Sequence, residues 1–295
     1  MSGVLVVGDV ITDIIVMPEG PMVRGSDRRA TIRSRPGGSG ANQAVWLGAL
    51  GVPVKFVSRV AAAELESNVA YFRSRGVEPL LSGDMDAPSG VLISIVDADG
   101  ERSFLTDRGA NLNLSAADLP FSLRDGVEVL LVSGYSFFTP GPRAAVMGLQ
   151  KEARDRGIPT AVDPASVGFL REVGAEPFLK WTAGTGTIFA NLDEALELTG
   201  SVDLNLQMQT LGRFYGRVVI KRGIGGAAIG GRGGVQMTMP APPRDVIDTT
   251  GAGDAFAAAF IACELTGQPV EACLKAGIEA GAEAVTKIGG QPLPY

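Results

Sequence analysis

Along this chain a short apolar run is followed by a turn and a helical stretch closed by glycine, and the unit recurs several times. The runs fall at residues 4–10, 54–57, 127–132, 160–162, 188–190 and 218–220. They are rich in Val and Ile and lack the polar alternation of a half-exposed strand, so they predict strands covered on both faces. Between them, 41–50, 64–75 and 142–156 read as helices, stopped by Gly51, Gly76 and by Gly157 with Pro159 just beyond. Strand–helix alternation of this kind predicts a doubly wound, mostly parallel α/β sheet flanked by helices, built as a single domain over residues 1–295.

Two segments leave the pattern. Residues 90–106 alternate with period two around Asp97-Ala-Asp-Gly100, a hairpin signal. Residues 11–35 carry two more short β-rich stretches, 14–16 and 30–34, among glycines and prolines. Together the segments near 11–35 and 88–108 predict a small β-sheet lid beside the main sheet; ordinary surface hairpins are the other reading. Residues 218–239 read as a meander.

Composition then narrows the chemistry. With 295 residues, 45% hydrophobic and 20% charged, the chain can bury a large core. A net charge of −6 argues against a general nucleic-acid binder. No charged-then-apolar leader opens it, and the apolar run 255–263 is nine residues where a membrane span needs about 20. A cytoplasmic protein without membrane partners is expected. Cys263 and Cys273 are too few for a disulfide framework and read as buried small hydrophobes. The chain has no histidine, which removes Ser-His-Asp and Cys-His triads and HExxH zinc sites. Acid–base work must fall to carboxylates, lysine, tyrosine or backbone groups.

Glycine-rich stretches are the remaining signals. No GxxxxGK[ST] occurs, and Gly223-Ile-Gly-Gly-Ala-Ala leads into more glycine and not into a helix, so P-loop and dinucleotide fingerprints are both absent. Asp248-Thr-Thr-Gly-Ala-Gly-Asp254 differs, because a small-residue helix follows at 254–265. The free N–H groups of a helix start form an anion site that small residues let a phosphate approach. Asp254 in the first turn would then repel a transferring phosphate unless it accepts a proton from an attacking hydroxyl, which is the base that phosphoryl transfer to an alcohol uses. A Thr-capped helix whose Asp complements the macrodipole is the plainer reading.

Two stretches together carry a resemblance. Asp248-Thr-Thr-Gly-Ala-Gly-Asp254-Ala-Phe-Ala resembles the C-terminal signature of the ribokinase-like (PfkB) carbohydrate kinases, and Gly37-Gly-Ser-Gly-Ala-Asn42-Gln-Ala resembles their N-terminal signature. The resemblance implies the ribokinase-like fold and an ATP- and Mg²⁺-dependent kinase of a small sugar or sugar derivative. Asp254 would be its general base, and the amides of Gly251, Ala252 and Gly253 its anion hole. Asp13, Gly37, Gly38 and Asn42 would bind the acceptor. Asn191-Leu-Asp-Glu194 resembles the family's Asn-x-x-Glu element, with Glu194 reaching Mg²⁺ through water; it also reads as a capping box. Lys221 and Gly223 match the nucleotide-side segment with Asn191, although a strand-end lysine is commonly a solvated one. Asp248 and Thr250 match a monovalent-cation site for K⁺, while Gln291-Pro-Leu-Pro stands where family members commonly supply a serine. Dimerisation through the lids is implied by the same analogy.

The acceptor stays open at this stage. Ribokinases have Asn where Ile11 stands, which argues against ribose itself. Arg24, Arg28, Arg29, Arg33 and Arg35 cluster in the lid segment and Arg108 follows the hairpin. Guanidinium suits an acidic sugar or sugar phosphate, and a solubilising surface equally accounts for such a cluster. A nucleoside kinase of adenosine, inosine or pseudouridine type, with Ile11 or Phe104 lining a deeper pocket, is an alternative. A non-catalytic sugar or nucleotide sensor is a third reading.

Overall fold

The computed structural model describes residues 3–96, 102–119 and 126–292. In chain order its elements are β1 (Gly3–Val7), β2 (Ile11–Pro18), β3 (Ala30–Gly37), α1 (Ser39–Ala49), β4 (Val54–Ala61), α2 (Leu65–Ser74), β5 (Val77–Asp84), β6 (Gly90–Val96) and β7 (Arg102–Asp107). There follow β8 (Val127–Ser133), α3 (Pro140–Asp155), β9 (Thr160–Asp163), α4 (Val167–Val173), α5 (Ala175–Thr182), β10 (Thr187–Asn191), α6 (Leu192–Thr199) and α7 (Leu204–Leu211). The chain closes through β11 (Arg217–Lys221), β12 (Ala227–Gly231), β13 (Gly234–Met239), α8 (Ala252–Leu265) and α9 (Val270–Ala284).

The main sheet has the order β13-β12-β11-β10-β9-β8-β1-β4-β5. Every pairing from β5 across to β11 is parallel, and β12 and β13 join antiparallel at one edge. The continuous apolar runs follow from burial on both faces. Val4 and Val6 of β1 face a core shared with Phe56, Phe189, Phe256 and Phe260, under α1, α8 and α9. Leu5 and Val7 face the opposite core, with Leu130, Val132, Ile188 and Met208.

Several boundaries move for identifiable reasons. The first strand stops at Val7 because Gly8 must approach α1: a Cβ on Gly8 would lie 2.7 Å from Gly40 Cα. The helix expected at 41–50 starts at Ser39, behind Gly38 with φ 96°. The helix expected at 254–265 starts at Ala252, which places Asp254 third in α8. Its cap is Gly251 in the left-handed conformation, so the threonine-cap reading fails. β5 was not expected; Pro79 hides it, and proline is tolerated because β5 is an edge strand. Cys273 is buried as expected, but Cys263 is only half-buried.

The two segments that break the pattern form one sheet of order β3-β2-β6-β7. β2 pairs antiparallel with β3 and parallel with β6, and β6 pairs antiparallel with β7. The expected turn at Asp97–Gly100 lies outside the described residues. Register puts Asp13, Ile15, Leu92, Ser94, Phe104 and Thr106 on one face and Ile14, Val16, Ile32, Ile93, Ile95 and Leu105 on the other. The first of these faces turns toward the carboxyl ends of the main strands.

Asn111 ties the second sheet to the first. Its Oδ1 accepts from Val10 N at 2.9 Å and Ser58 Oγ at 3.2 Å, and its Nδ2 donates to Val10 O at 2.9 Å and Arg108 O at 2.8 Å. Asn111 is 4% exposed, so truncation strands several buried partners. Asn111→Ala is expected to destabilise the protein by roughly 2–4 kcal/mol, read from the urea unfolding midpoint.

Candidate active site

Five parallel strands deliver polar residues to one edge of the sheet. Asp9 follows β1, and Ser133, Asp163, Asn191 and Lys221 end β8, β9, β10 and β11. Ligands of open α/β sheets bind outside these carboxyl ends. A cavity of about 580 Å³ opens there beneath the inner face of the small sheet. A second, of about 660 Å³, lies between α8, α9 and the β11–β12 turn, and Asn191, Lys221, Thr249 and Gly253 line both.

Most sequence-predicted residues meet here. Asp13, Gly38, Asn42, Asn191, Glu194, Lys221, Asp248, Thr250, Gly251, Gly253 and Asp254 line the first cavity. Gly223 and Ala252 belong to the second. Gly37 borders neither; it sits behind Asp13, where any Cβ would overlap the carboxylate.

Asp254 is the centre of the arrangement. It is 9% exposed, with Oδ1 accepting from Ser39 Oγ at 2.7 Å and Gln43 Nε2 at 3.2 Å. Its Oδ2 accepts from Asn42 Nδ2 at 3.0 Å. Asn42 therefore holds the carboxylate, a contact its expected role toward acceptor hydroxyls did not include. Burial, and then the charge of Asp163, push the Asp254 pKa up to about 7, against the hydrogen bonds from Ser39 and Asn42 and the charge of Lys221.

The α8 start is fixed from behind. Gly251 has φ 75°, and a Cβ there would overlap Gly290. Trp46 Nε1 in turn donates to Gly290 O at 3.0 Å. Of the three amides expected in the anion hole, Ala252 N–H donates to Thr249 O at 3.3 Å. Gly251 and Gly253 stand at the helix start, where no intrahelical acceptor exists.

Lys221 is not the solvated strand-end lysine that its position suggests. Its ammonium pairs with Asp163 Oδ2 at 2.6 Å, with side-chain exposures of 13% and 5%. Burial works against the Lys221 charge, but Asp163 and Glu194 outweigh it and raise the pKa. A Cβ on Gly253 would lie 2.8 Å from Lys221 Nζ, so glycine there keeps the ammonium against the helix start. Asn191 and Glu194 form the expected capping box: Asn191 N–H donates to Glu194 Oε2 and Glu194 N–H to Asn191 Oδ1, both at 2.8 Å. Burial and Asp163 push the Glu194 pKa up to about 7. Asp13 also rises to about 7, through burial, Asp9 and Asp248. Asp248 Oδ1 accepts from Thr250 N–H and Oδ2 from Gly289 N–H, each at 2.9 Å, which binds the turn before α8 to the C-terminal loop.

Sequence reasoning missed Asp163. It ends an apolar run just before proline, and Ala165 behind it has φ 71°, the one positive value outside glycine among the described residues. Asp163 Oδ1 accepts from Ala165 N–H at 3.1 Å. Ser39 and Gln43 were also missed, although they flank Asn42 on α1 and differ from it by one helical turn or less.

A carboxylate near neutrality in its pKa, beside a helix start and a buried ammonium, can take a proton while neighbouring groups neutralise anionic charge. Comparison with known proteins shows the family of the chain. The family model described as pfkB family carbohydrate kinase matches residues 1–294. A bifunctional protein HldE from Pseudomonas syringae pv. tomato is 31% identical over 94% of this chain. The chain spans only 60% of that relative's length. Adenosine kinase from Sinorhizobium meliloti has a solved structure 25% identical, with TM-score 0.86, covering 99% of this chain and 96% of its own. A putative ribokinase II from E. coli, solved in complex with ATP and Mg²⁺, superposes with TM-score 0.86 at 22% identity, over 98% of this chain and 94% of its own. With the fold, both signatures and a match along nearly its whole length, the chain belongs to the pfkB family of carbohydrate kinases.

Proposed function

We propose that this protein transfers the γ-phosphoryl group of ATP to a hydroxyl of a small sugar or sugar derivative, with Asp254 as general base. The carrying observation is the position of Asp254: one carboxylate lining the first cavity, next to Gly253 which lines both, at the start of α8 and within a hydrogen-bond cage from α1. The acceptor enters the cavity under the small sheet, with Asp13 available to its hydroxyls and Gly38 allowing close approach. The acceptor hydroxyl gives its proton to Asp254, its oxygen bonds the γ-phosphorus, the γ-phosphorus–oxygen bond to the β-phosphate breaks, and ADP leaves. Gly251 and Gly253 N–H groups and the Lys221 ammonium face the charge that develops.

The second cavity suits the rest of the nucleotide. Ile224, Pro242, Val246, Phe256 and Ile278 offer an apolar surface, and Gly281 and Ala282 leave room for a planar base. Magnesium, when bound with the phosphates, would supply positive charge there. Among the described residues no three Asp, Glu or Cys form a metal cage, and Glu194 is already a cap, so retention through water and phosphate oxygens fits these residues. Asp248 and Thr250 are the candidates for K⁺. The small sheet acts as the lid, excluding water on closure. No described helix is long and apolar enough to cross a membrane.

A nucleoside acceptor is the second reading. Ile11, Ile15 and Leu92 make one flank of the acceptor cavity apolar, and Phe104, 55% exposed, offers a ring for stacking a base. A sensor without catalysis would need no carboxylate held in this way.

Asp254→Asn keeps the shape and removes the base, so kcat is expected to fall about 100- to 10,000-fold in a coupled ADP-release assay with the best acceptor. Wild-type rates retained by this variant would overturn the mechanism. Because the Asp254 pKa is raised to about 7 and the charged form is the one that accepts the proton, kcat/KM should climb through pH 7 to a plateau above it. Activity flat down to pH 5 would contradict that assignment. The outer face of the small sheet, where Ile32 is 63% and Leu105 61% exposed, is the proposed homodimer contact. Light scattering should give a mass about twice 30.5 kDa, reduced to the monomer by Ile32→Asp with Leu105→Asp.

A further inference from the structure

The arginines singled out in the sequence separate into two kinds. Arg24, Arg28, Arg29, Arg33 and Arg35 are exposed, although register places Arg33 beside Ile15 and Arg35 beside Asp13 on the inner face of the small sheet. Arg108 is 6% exposed and lines the acceptor cavity. A guanidinium has five N–H donors and stays charged in proteins. The one hydrogen bond found for this side chain runs from Nη1 to Tyr135 O at 2.8 Å; the group also lies over the Tyr135 ring, 5.2 Å from its centroid. Its Nε is enclosed without a partner. No carboxylate among the described residues pairs with it. Asp9, the acid whose charge it feels most, instead accepts through Oδ1 from Ser133 Oγ at 3.2 Å and Gly40 N–H at 3.4 Å. A buried cation left in this state is costly, and its pKa is lowered by burial.

The surroundings hold Arg108 in place and add donors. Asn111 Nδ2 holds Arg108 O at 2.8 Å. Gly109 follows with φ 48°, at a point where a Cβ would overlap Pro88 O. Beside it on the inner face of the small sheet, Thr106 lines the same cavity, as does Ser94, which is 4% exposed with an Oγ that has no partner. Arg108 Nε, just after β7, and Ser94 Oγ, on the neighbouring β6, are enclosed without partners in two residues that line one cavity, and a ligand group rich in acceptor oxygens would meet the donors of both side chains.

We propose that the acceptor of this kinase carries an oxyanion, a carboxylate or a phosphate, which seats on Arg108, Ser94 and Thr106 while its reacting hydroxyl faces Asp254. The inference rests on the kinase reading above. Asp9 also lines the cavity and is the acid that Arg108 feels most, so the oxyanion competes with it for the guanidinium, while Asp13 and Asp254 remain acceptors for hydroxyl donors. An oxyanion satisfies several guanidinium N–H groups at once, which a sugar hydroxyl cannot do.

The test uses matched acceptors: a hexose, its hexonate and its 6-phosphate, and a pentose with its 5-phosphate and pentonate. Wild-type kcat/KM is expected to be at least about 100-fold higher for one anionic member than for its neutral counterpart. Arg108→Gln should raise KM for the anionic member at least about 30-fold more than for the neutral one, with Arg108→Lys recovering part of the difference. Whether carboxylate or phosphate is the preferred group follows from which arm responds. A preference for neutral members, or equal loss on both in Arg108→Gln, would overturn the proposal. Thermal shifts of the nucleotide-free protein with the same compounds separate this from failure of the kinase reading. Stabilisation by anionic members alone, lost in Arg108→Gln, upholds the oxyanion site even if no ATP is consumed. No stabilisation by any anionic member, together with no turnover of one, refutes it. Circular dichroism of the variants excludes misfolding as the cause.

Discussion

Everything at this site depends on one buried carboxylate being held by a helix far from it in sequence. Asp254 belongs to α8, while Ser39, Asn42 and Gln43, which donate to it, all belong to α1. The donors are separated from it by 211 to 215 residues, so the cage exists only when the whole sheet has formed and brought the two helices together. Without these three donors the charged form would lose its main hydrogen-bonded support in a setting that already disfavours it. With them it stays near neutrality and ready to exchange a proton. The close approaches around it follow from that demand. Gly8 against Gly40 seats α1 on β1, and Gly251 against Gly290 seats the start of α8 on the C-terminal loop.

The second layer of control is the pairing of Lys221 with Asp163. Asp163 raises the pKa of both Asp254 and Glu194, while Lys221 opposes each rise. One buried ammonium thus serves three carboxylates, and the cluster as a whole keeps negative character in the resting protein. In the proposed reaction, cations arriving with the phosphates would complete it, a physical reason for nucleotide entry to be coupled to the proton affinity of Asp254.

The sheet was legible because burial on both faces forces continuous apolar runs, and such runs survive without knowledge of partners. β5 was not, because Pro79 reads as a break and only its place at the sheet edge makes it harmless. The small sheet was legible in outline, yet its parallel β2–β6 pair joins strands distant in sequence and leaves no local mark. Asp254 and Asn42 were found through motifs whose spacing carries chemistry. Asp163 and Asn111 were not, since an acid after a short strand and an asparagine in a loop look alike whether they organise a site or face water. Lys221 shows the same limit in reverse: its solvated reading failed because Asp163 lies 58 residues away and appears beside it only in three dimensions.

The division of labour between the two cavities also explains why the reaction is easier to read than the acceptor. The wall around Asp254 and the start of α8 is built from strand ends, helix starts and the polar side chains that they carry, such as Ser39, Asn42, Asp163 and Lys221, whose places follow from the packing of the main sheet and its helices. The opposite wall of that cavity is made by side chains of a separate sheet, Ser94, Phe104 and Thr106 among them, and by Arg108 just after its last strand, whose identity the core does not constrain. A change on that inner face leaves the proton-accepting geometry untouched while altering what can reach it. Chemistry is therefore written into the parts of the sequence that must fold one way, and acceptor choice into the part that is free to vary. Arg108 matters for that reason: its guanidinium is buried beside the variable wall with one hydrogen bond, to Tyr135 O, and an unpartnered Nε, a partly met demand that the core does not impose.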